Sequence, residues 1–118
     1  MKQITLYHNP RCSKSRATLT LLNERGFNPD IVDYLATPPD AATLKRLLDL
    51  LQLAPRALMR RTEAEYTDLG LDDPALDDAT LIAAMVKHPR LIERPIVVVD
   101  GIRAAIGRPP EAVLRLLG

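Results

Sequence analysis

The chemistry of this chain centres on one sulfur. Cys12 stands in the stretch Tyr7-His8-Asn9-Pro10-Arg11-Cys12-Ser13-Lys14-Ser15-Arg16, and it is the only cysteine among 118 residues. An internal disulfide is therefore excluded, and any thiol–disulfide exchange needs a thiol from outside. The only histidines are His8 and His88, and no zinc spacing can be written with them. A free thiol with a pKa of ~8.5 is about 3% ionised at pH 7, and lowering that value by ~2 would make the thiolate the majority species for roughly 2.7 kcal/mol. The sequence supplies the means. A helix is expected to begin just after Cys12, and a helix start offers free backbone N–H groups and a partial positive charge, which favour both a thiolate and a bound oxyanion. Arg11, Lys14 and Arg16 add positive charge, and the Ser15 hydroxyl can bond the sulfur or fill the first helical turn. His8 can tune the site or end the preceding strand. Polar neighbours on both sides do not fit a core strand or an apolar helix face, so Cys12 is read as a nucleophile rather than a buried small hydrophobe.

Two familiar thiol sites fail on spacing. A dithiol oxidoreductase needs Cys-x-x-Cys, but Cys12-Ser13-Lys14-Ser15 puts serine at the resolving position, which leaves only monothiol chemistry. The phosphate loop of low-molecular-weight tyrosine phosphatases needs Cys-x5-Arg. Thr18 stands there, and Arg16 comes too early. Arginine outnumbers lysine by 12 to 4, and its planar fork suits an oxyanion with two parallel hydrogen bonds.

The elements that must position these groups follow from pattern. Ile4 to Tyr7 alternates like a short strand, Asn9-Pro10 turns the chain, and a helix is expected from about Ser13 to Arg25, stopped by Gly26. Pro29 to Leu35 holds a second strand, so a parallel crossover unit is expected. Cys12 then lies beyond the carboxyl end of the first strand, where ligands of open α/β sheets gather. Asp40 can cap a helix in which Leu44, Leu47, Leu48 and Leu51 recur at helical spacing, and Pro55 suits the first turn of the next. Glu63 to Leu69 reads as a short helix, and Asp77 or Asp78 caps a run with the stripe Leu81, Ile82, Met85, which His88 ends. Ile96 to Val99 and Ile102 to Ala105 are apolar runs separated by Asp100-Gly101, a two-residue hairpin turn. Pro109 or Pro110 opens a last helix with Val113, Leu114 and Leu117. The expectation is an α/β class with a mixed sheet, in the order of a thioredoxin-like fold: β-α-β, helical insertion, β-hairpin, α. It is expected to be a single domain over residues 1–118, with the insertion at about 40–90.

Composition narrows the function. Net charge is +1 and only Tyr7, Phe27, Tyr34 and Tyr66 are aromatic, so neither nucleic acid nor an anionic membrane is an expected partner. No stretch reaches the roughly 18 apolar residues of a membrane span, and the first residues lack a secretory pattern, so a cytoplasmic location is expected. Charge is uneven: residues 1–23 contain Lys2, Arg11, Lys14 and Arg16 and no acid, whereas residues 62–78 contain seven acids and no base. The acidic stretch is read as a solvated, capping-rich surface without chemistry.

With these residues in view, the chain resembles the glutaredoxin-linked arsenate reductases, as a short, single-cysteine form, from Ile4 to about Leu117. Residues 7–16 resemble the family's His-Asn-Pro-x-Cys-x-x-Ser-Arg signature. Arg56-Ala57-Leu58-Met59-Arg60, Glu93-Arg94-Pro95-Ile96-Val97-Val98 and Gly107-Arg108-Pro109 resemble its later blocks. Ser13-Lys14 replaces the Gly-Thr common in that family. The resemblance implies that Cys12 is the catalytic nucleophile and that Arg60, Arg94 and Arg108 bind the oxyanion; His8, Ser15 and Arg16 are expected from their positions to support the site. The resemblance also implies a proline at position 95 placed where this fold commonly carries a cis bond. It implies arsenate as substrate, no bound cofactor or metal, and glutathione and glutaredoxin as external reductants. Two alternatives stand beside it: a non-enzymatic Spx-like redox adaptor that binds RNA polymerase, in which Cys-x-x-Cys is frequent, and a monothiol glutathione-dependent oxidoreductase with another substrate.

Overall fold

Four strands form one sheet in the order β2-β1-β3-β4, as seen in a computed structural model that describes residues 2–117. β1 (Ile4–His8) pairs in parallel with β2 (Asp30–Asp33) and antiparallel with β3 (Ile96–Val99), which pairs antiparallel with β4 (Arg103–Ile106). The helix α1 (Ser13–Glu24) joins the two parallel strands, because a parallel pair needs a crossover rather than a tight turn. This is an α/β arrangement with a mixed, thioredoxin-like sheet. The chain groups into two units, Met1–Thr37 with Arg94–Gly118, and Pro38–Glu93.

In the first unit the alternation of β1 sends Ile4 and Leu6 into a core with Leu22, Val97, Val99, Ala105, Val113 and Leu116. All four residues of β3 are buried, which is why this strand reads as a continuous β-branched run rather than an alternating one. β2 lies at the sheet edge and is mostly exposed, with Asp30 and Asp33 at its ends. Charged residues and short length are how edge strands avoid pairing with other chains.

Two expectations are corrected here. The last helix is a 3-10 helix, Pro110–Leu116, whose buried residues are Val113 and Leu116. Those positions are three apart, and side chains at i and i+3 eclipse in a 3-10 helix, so this winding stacks both toward the core. The hairpin also closes one residue later than a two-residue turn would allow. Asp100 and Gly101 have φ of 56° and 68°, Ile102 N donates to Val99 O at 3.1 Å, and Val99 pairs with Arg103. Ile102 is thus part of the turn and 64% exposed. The turn is pinned to the start of β1, since Gln3 N donates to Asp100 Oδ1 at 2.8 Å and Asp100 N to Gln3 O at 2.8 Å.

In the second unit α2 (Ala41–Leu51) packs its buried Leu44, Leu47 and Leu48 on the side facing α4 (Asp78–Lys87), which buries Leu81, Ile82 and Met85. Each helix starts on an aspartate cap: Asp40 Oδ1 accepts from Thr43 N and Asp77 Oδ1 from Thr80 N, both at 2.8 Å. The short α3 (Ala64–Asp68) and 3-10 turns at Pro55–Leu58 and Pro89–Leu91 complete the unit. An antiparallel bridge between Met59 and Ile92 ties the last two segments, with Arg60 N donating to Leu91 O at 2.7 Å and Glu93 N to Leu58 O at 2.8 Å. Among the described residues no helix is long and apolar enough to cross a membrane.

Candidate active site

Cys12 occupies the N-cap of α1 with extended backbone angles, φ −93° and ψ 124°. The loop that brings it there is stitched through its own polar groups. Cys12 N donates to Asn9 O at 3.0 Å, Arg11 N to Asn9 Oδ1 at 3.0 Å, and Arg16 N to Cys12 O at 3.0 Å. Beneath the loop the buried Ser15 Oγ accepts from Asn9 N at 3.0 Å and lies 2.6 Å from His8 Nδ1. His8 both ends β1 and is itself buried. Burial pushes its pKa down, the nearby Asp33 carboxylate works against that, and Arg16 adds to the lowering. The ring is therefore held toward its neutral form.

The sulfur is half-buried, and burial by itself would raise its pKa. The opposing effects win. Hydrogen bonds from the Ser15 backbone N–H, the Arg94 side chain and the Lys14 backbone N–H, together with the charge of Arg108, bring the Cys12 pKa below the ordinary thiol value. Arg108 Nη2 lies 3.5 Å from Cys12 Sγ, and Arg108 Nε donates to Arg94 O at 2.8 Å. The two peptide bonds Arg94–Pro95 and Arg108–Pro109 are both cis.

The residues read from the sequence fall into place unequally. Arg94, just before β3, and Arg108, just after β4, meet Cys12 at one end of the sheet. Ser15 acts on the sulfur through its backbone N–H, while its hydroxyl engages His8 and Asn9 instead, because that hydroxyl points into the buried side of the first turn. The nearby cations contribute differently from the expectation. Arg16 Nη1 turns back to Pro10 O at 3.0 Å, and the cations acting on the sulfur come from the far end of the sequence. Arg60 belongs to the second unit, where its Nη1 donates to Glu93 Oε1 at 2.7 Å and its Nε to Glu63 Oε1 at 3.3 Å. Burial opposes its charge, but the two carboxylates outweigh that and raise its pKa.

Sequence reasoning gives these two glutamates no role: Glu63 falls in the acidic stretch read as without chemistry, and Glu93 stands only as the first residue of a block that carries the resemblance. Their placement opposite an arginine depends on the Met59–Ile92 bridge, which no local pattern announces. It also missed Gly107, which is buried and so close to its neighbours that a Cβ there would lie 2.5 Å from Thr18 Oγ1. Among the described residues no group of three or more His, Cys, Asp or Glu could hold a metal ion. The arrangement that exists is a cysteine sulfur at a helix start, its pKa lowered, under two guanidinium groups; as a thiolate it is suited to attack on an electrophilic centre that carries anionic oxygens.

A model of the ArsC family matches residues 7–116. Over 118 residues the chain is 56% identical to the uncharacterized protein YfgD of Escherichia coli (strain K12), covering 99% of this chain and 98% of that one. It is 50% identical over 118 residues to an arsenate reductase of Neisseria meningitidis serogroup B (strain ATCC BAA-335 / MC58), covering 99% and 100%. Among solved structures, an arsenate reductase from Vibrio cholerae matches with a TM-score of 0.93 at 52% identity over 96% of each chain.

Proposed function

The chain belongs to the ArsC family, and from that premise we propose that it reduces arsenate to arsenite with Cys12 as the nucleophile and glutathione and glutaredoxin as the external reductants. The observation that carries this reading is Cys12 Sγ seated at the start of α1 with Arg108 Nη2 at 3.5 Å. In the first step the thiolate attacks arsenic(V), an S–As bond forms, and one oxygen leaves as water after taking up a proton. Arg94 and Arg108 hold the remaining oxygens and offset the charge that gathers on them as the bond forms, as fixed cationic donors do in other oxyanion reactions.

Since the chain has one cysteine, both electrons come from outside. Glutathione displaces a second oxygen as water and becomes bonded to arsenic. A glutaredoxin thiolate then attacks the glutathione sulfur, and the S–As electron pair stays on arsenic, which becomes arsenic(III). The two external thiols leave as one mixed disulfide, and water releases arsenite from Cys12 and restores the thiol. The same reading gives Arg60 as a third guanidinium for the substrate, its fork fixed in its own unit by Glu63 and Glu93. It also implies a compartment that holds both thiols, the cytoplasm.

The test is NADPH consumption in the presence of arsenate, glutathione, glutaredoxin and glutathione reductase. Turnover that requires arsenate and disappears in Cys12→Ser supports the reading. Absence of turnover at any arsenate concentration, with the coupling enzymes shown to be active, ends it.

A further inference from the structure

Gly107 directly follows β4 and precedes Arg108, and its φ does not lie in the left-handed region, so glycine is not required there by φ. What requires glycine is space. A Cβ built there would lie 2.5 Å from Thr18 Oγ1, 2.8 Å from Pro95 Cγ and 3.4 Å from Pro95 Cδ. Neither obstacle is a flexible side-chain end. Thr18 is fully buried, is β-branched and so restricted at χ1, and donates its hydroxyl to Lys14 O at 2.9 Å inside α1. Pro95 is a closed ring, and Gly107 N is bonded to Pro95 O at 2.9 Å.

We propose that Gly107 is a positioning residue for the site: the space left by its missing Cβ lets the end of β4 lie against Thr18 and Pro95, and that approach carries Arg108 to Cys12. The chain of contacts is continuous. Thr18 bonds the carbonyl of Lys14, whose N–H faces the sulfur. Pro95 follows Arg94, whose side chain bonds the sulfur and whose carbonyl receives Arg108 Nε at 2.8 Å. Any group larger than hydrogen at position 107 must push β4 away from α1 or from Pro95, and either movement draws the Arg108 guanidinium off the sulfur. The inference rests on Arg108 serving Cys12, as in the function proposed above, but not on arsenate being the substrate.

The experiment is the rate of Cys12 alkylation by iodoacetamide as a function of pH, read on folded protein without arsenate. The groups facing the sulfur are the Lys14 and Ser15 backbone N–H groups and the Arg94 and Arg108 side chains, so Arg108→Ala sets the scale. Gly107→Ala should move the midpoint upward by at least half of the displacement that Arg108→Ala produces. It should add nothing in the Arg108→Ala background, and Thr18→Ala, which opens room for the new methyl group, should restore part of the loss. A wild-type midpoint in Gly107→Ala overturns the proposal, as does an equal displacement with and without Arg108. If Gly107→Ala does not fold by circular dichroism, Gly107→Ala/Thr18→Ala is measured against Thr18→Ala by the same criteria. If neither folds, the glycine is a requirement of the fold rather than of the sulfur's surroundings, and the proposal falls. Arsenate turnover plays no part in these readings, so a failed turnover assay and a failed positioning role are separate results.

Discussion

Replacing Arg108 by alanine removes a full positive charge at 3.5 Å from the sulfur. Two unit charges at that separation attract by about 1.2 kcal/mol in water and about 4.7 kcal/mol at an effective dielectric of 20. Arg108 is exposed and Cys12 half-buried, so solvent screens the pair and the lower figure governs. An energy of about 1.2 kcal/mol corresponds to a change in the thiol–thiolate equilibrium of roughly five- to tenfold. The iodoacetamide rate of Arg108→Ala, taken at a pH below the wild-type midpoint, should therefore fall by about that factor. Arg108→Lys should recover part of it, because it keeps a charge but loses the fork that also reaches Arg94 O. A rate in Arg108→Ala indistinguishable from wild type across that pH range would show that the guanidinium does not hold the thiolate, and the electrostatic argument would be wrong.

Two further outcomes follow from the same geometry. Ser15→Ala removes the acceptor of the buried Asn9 N–H and the partner of His8 Nδ1, and should cost about 1–3 kcal/mol in urea unfolding for the polar groups left buried without it; a loss too small to resolve would mean that the loop under Cys12 rearranges freely. The lowered Cys12 pKa also links stability to pH. Between the folded midpoint and that of the unfolded thiol, the unfolded chain holds a proton that the native chain does not, so stability rises with pH through this window and is lost as pH falls through the folded midpoint. Denaturant midpoints measured across the window should show this slope in wild type and a smaller one in Cys12→Ala, and equal slopes would contradict the shift.

Much of the first unit is legible in the chain because its signals are local. Strand alternation at Ile4–Tyr7, the asparagine-proline turn and the glycine after Arg25 mark β1, α1 and their joint without reference to anything distant. Asp40 and Asp77 announce their helices because capping involves a serine, threonine or aspartate and an N–H three residues on. The final segment was harder to read: Val113, Leu114 and Leu117 satisfy an α-helical face, and only the core it meets selects the Val113–Leu116 face and the tighter winding. At the site, the helix-start environment of Cys12 is visible in sequence, whereas the identity of the cations on the sulfur is not. Arg11, Lys14 and Arg16 are near in sequence, but Arg94 and Arg108 are near in space, and that difference is made by strand order. The pairing of Arg60 with Glu63 and Glu93 is similarly a product of tertiary bridging.

The β3–β4 ladder has a consequence for the two arginines at the sulfur. Val99 faces Arg103 and Ile96 faces Ile106, so the same count continued past the ladder sets Arg94 across from Arg108. The connection at Asp100-Gly101-Ile102 thus works as a gauge. Although it lies at the opposite end of the sheet, its length decides which residue of one strand confronts which of the other. A connection shorter by one residue would bring Gly107 rather than Arg108 across from Arg94, and the cationic clamp would open without any change in the residues that compose it.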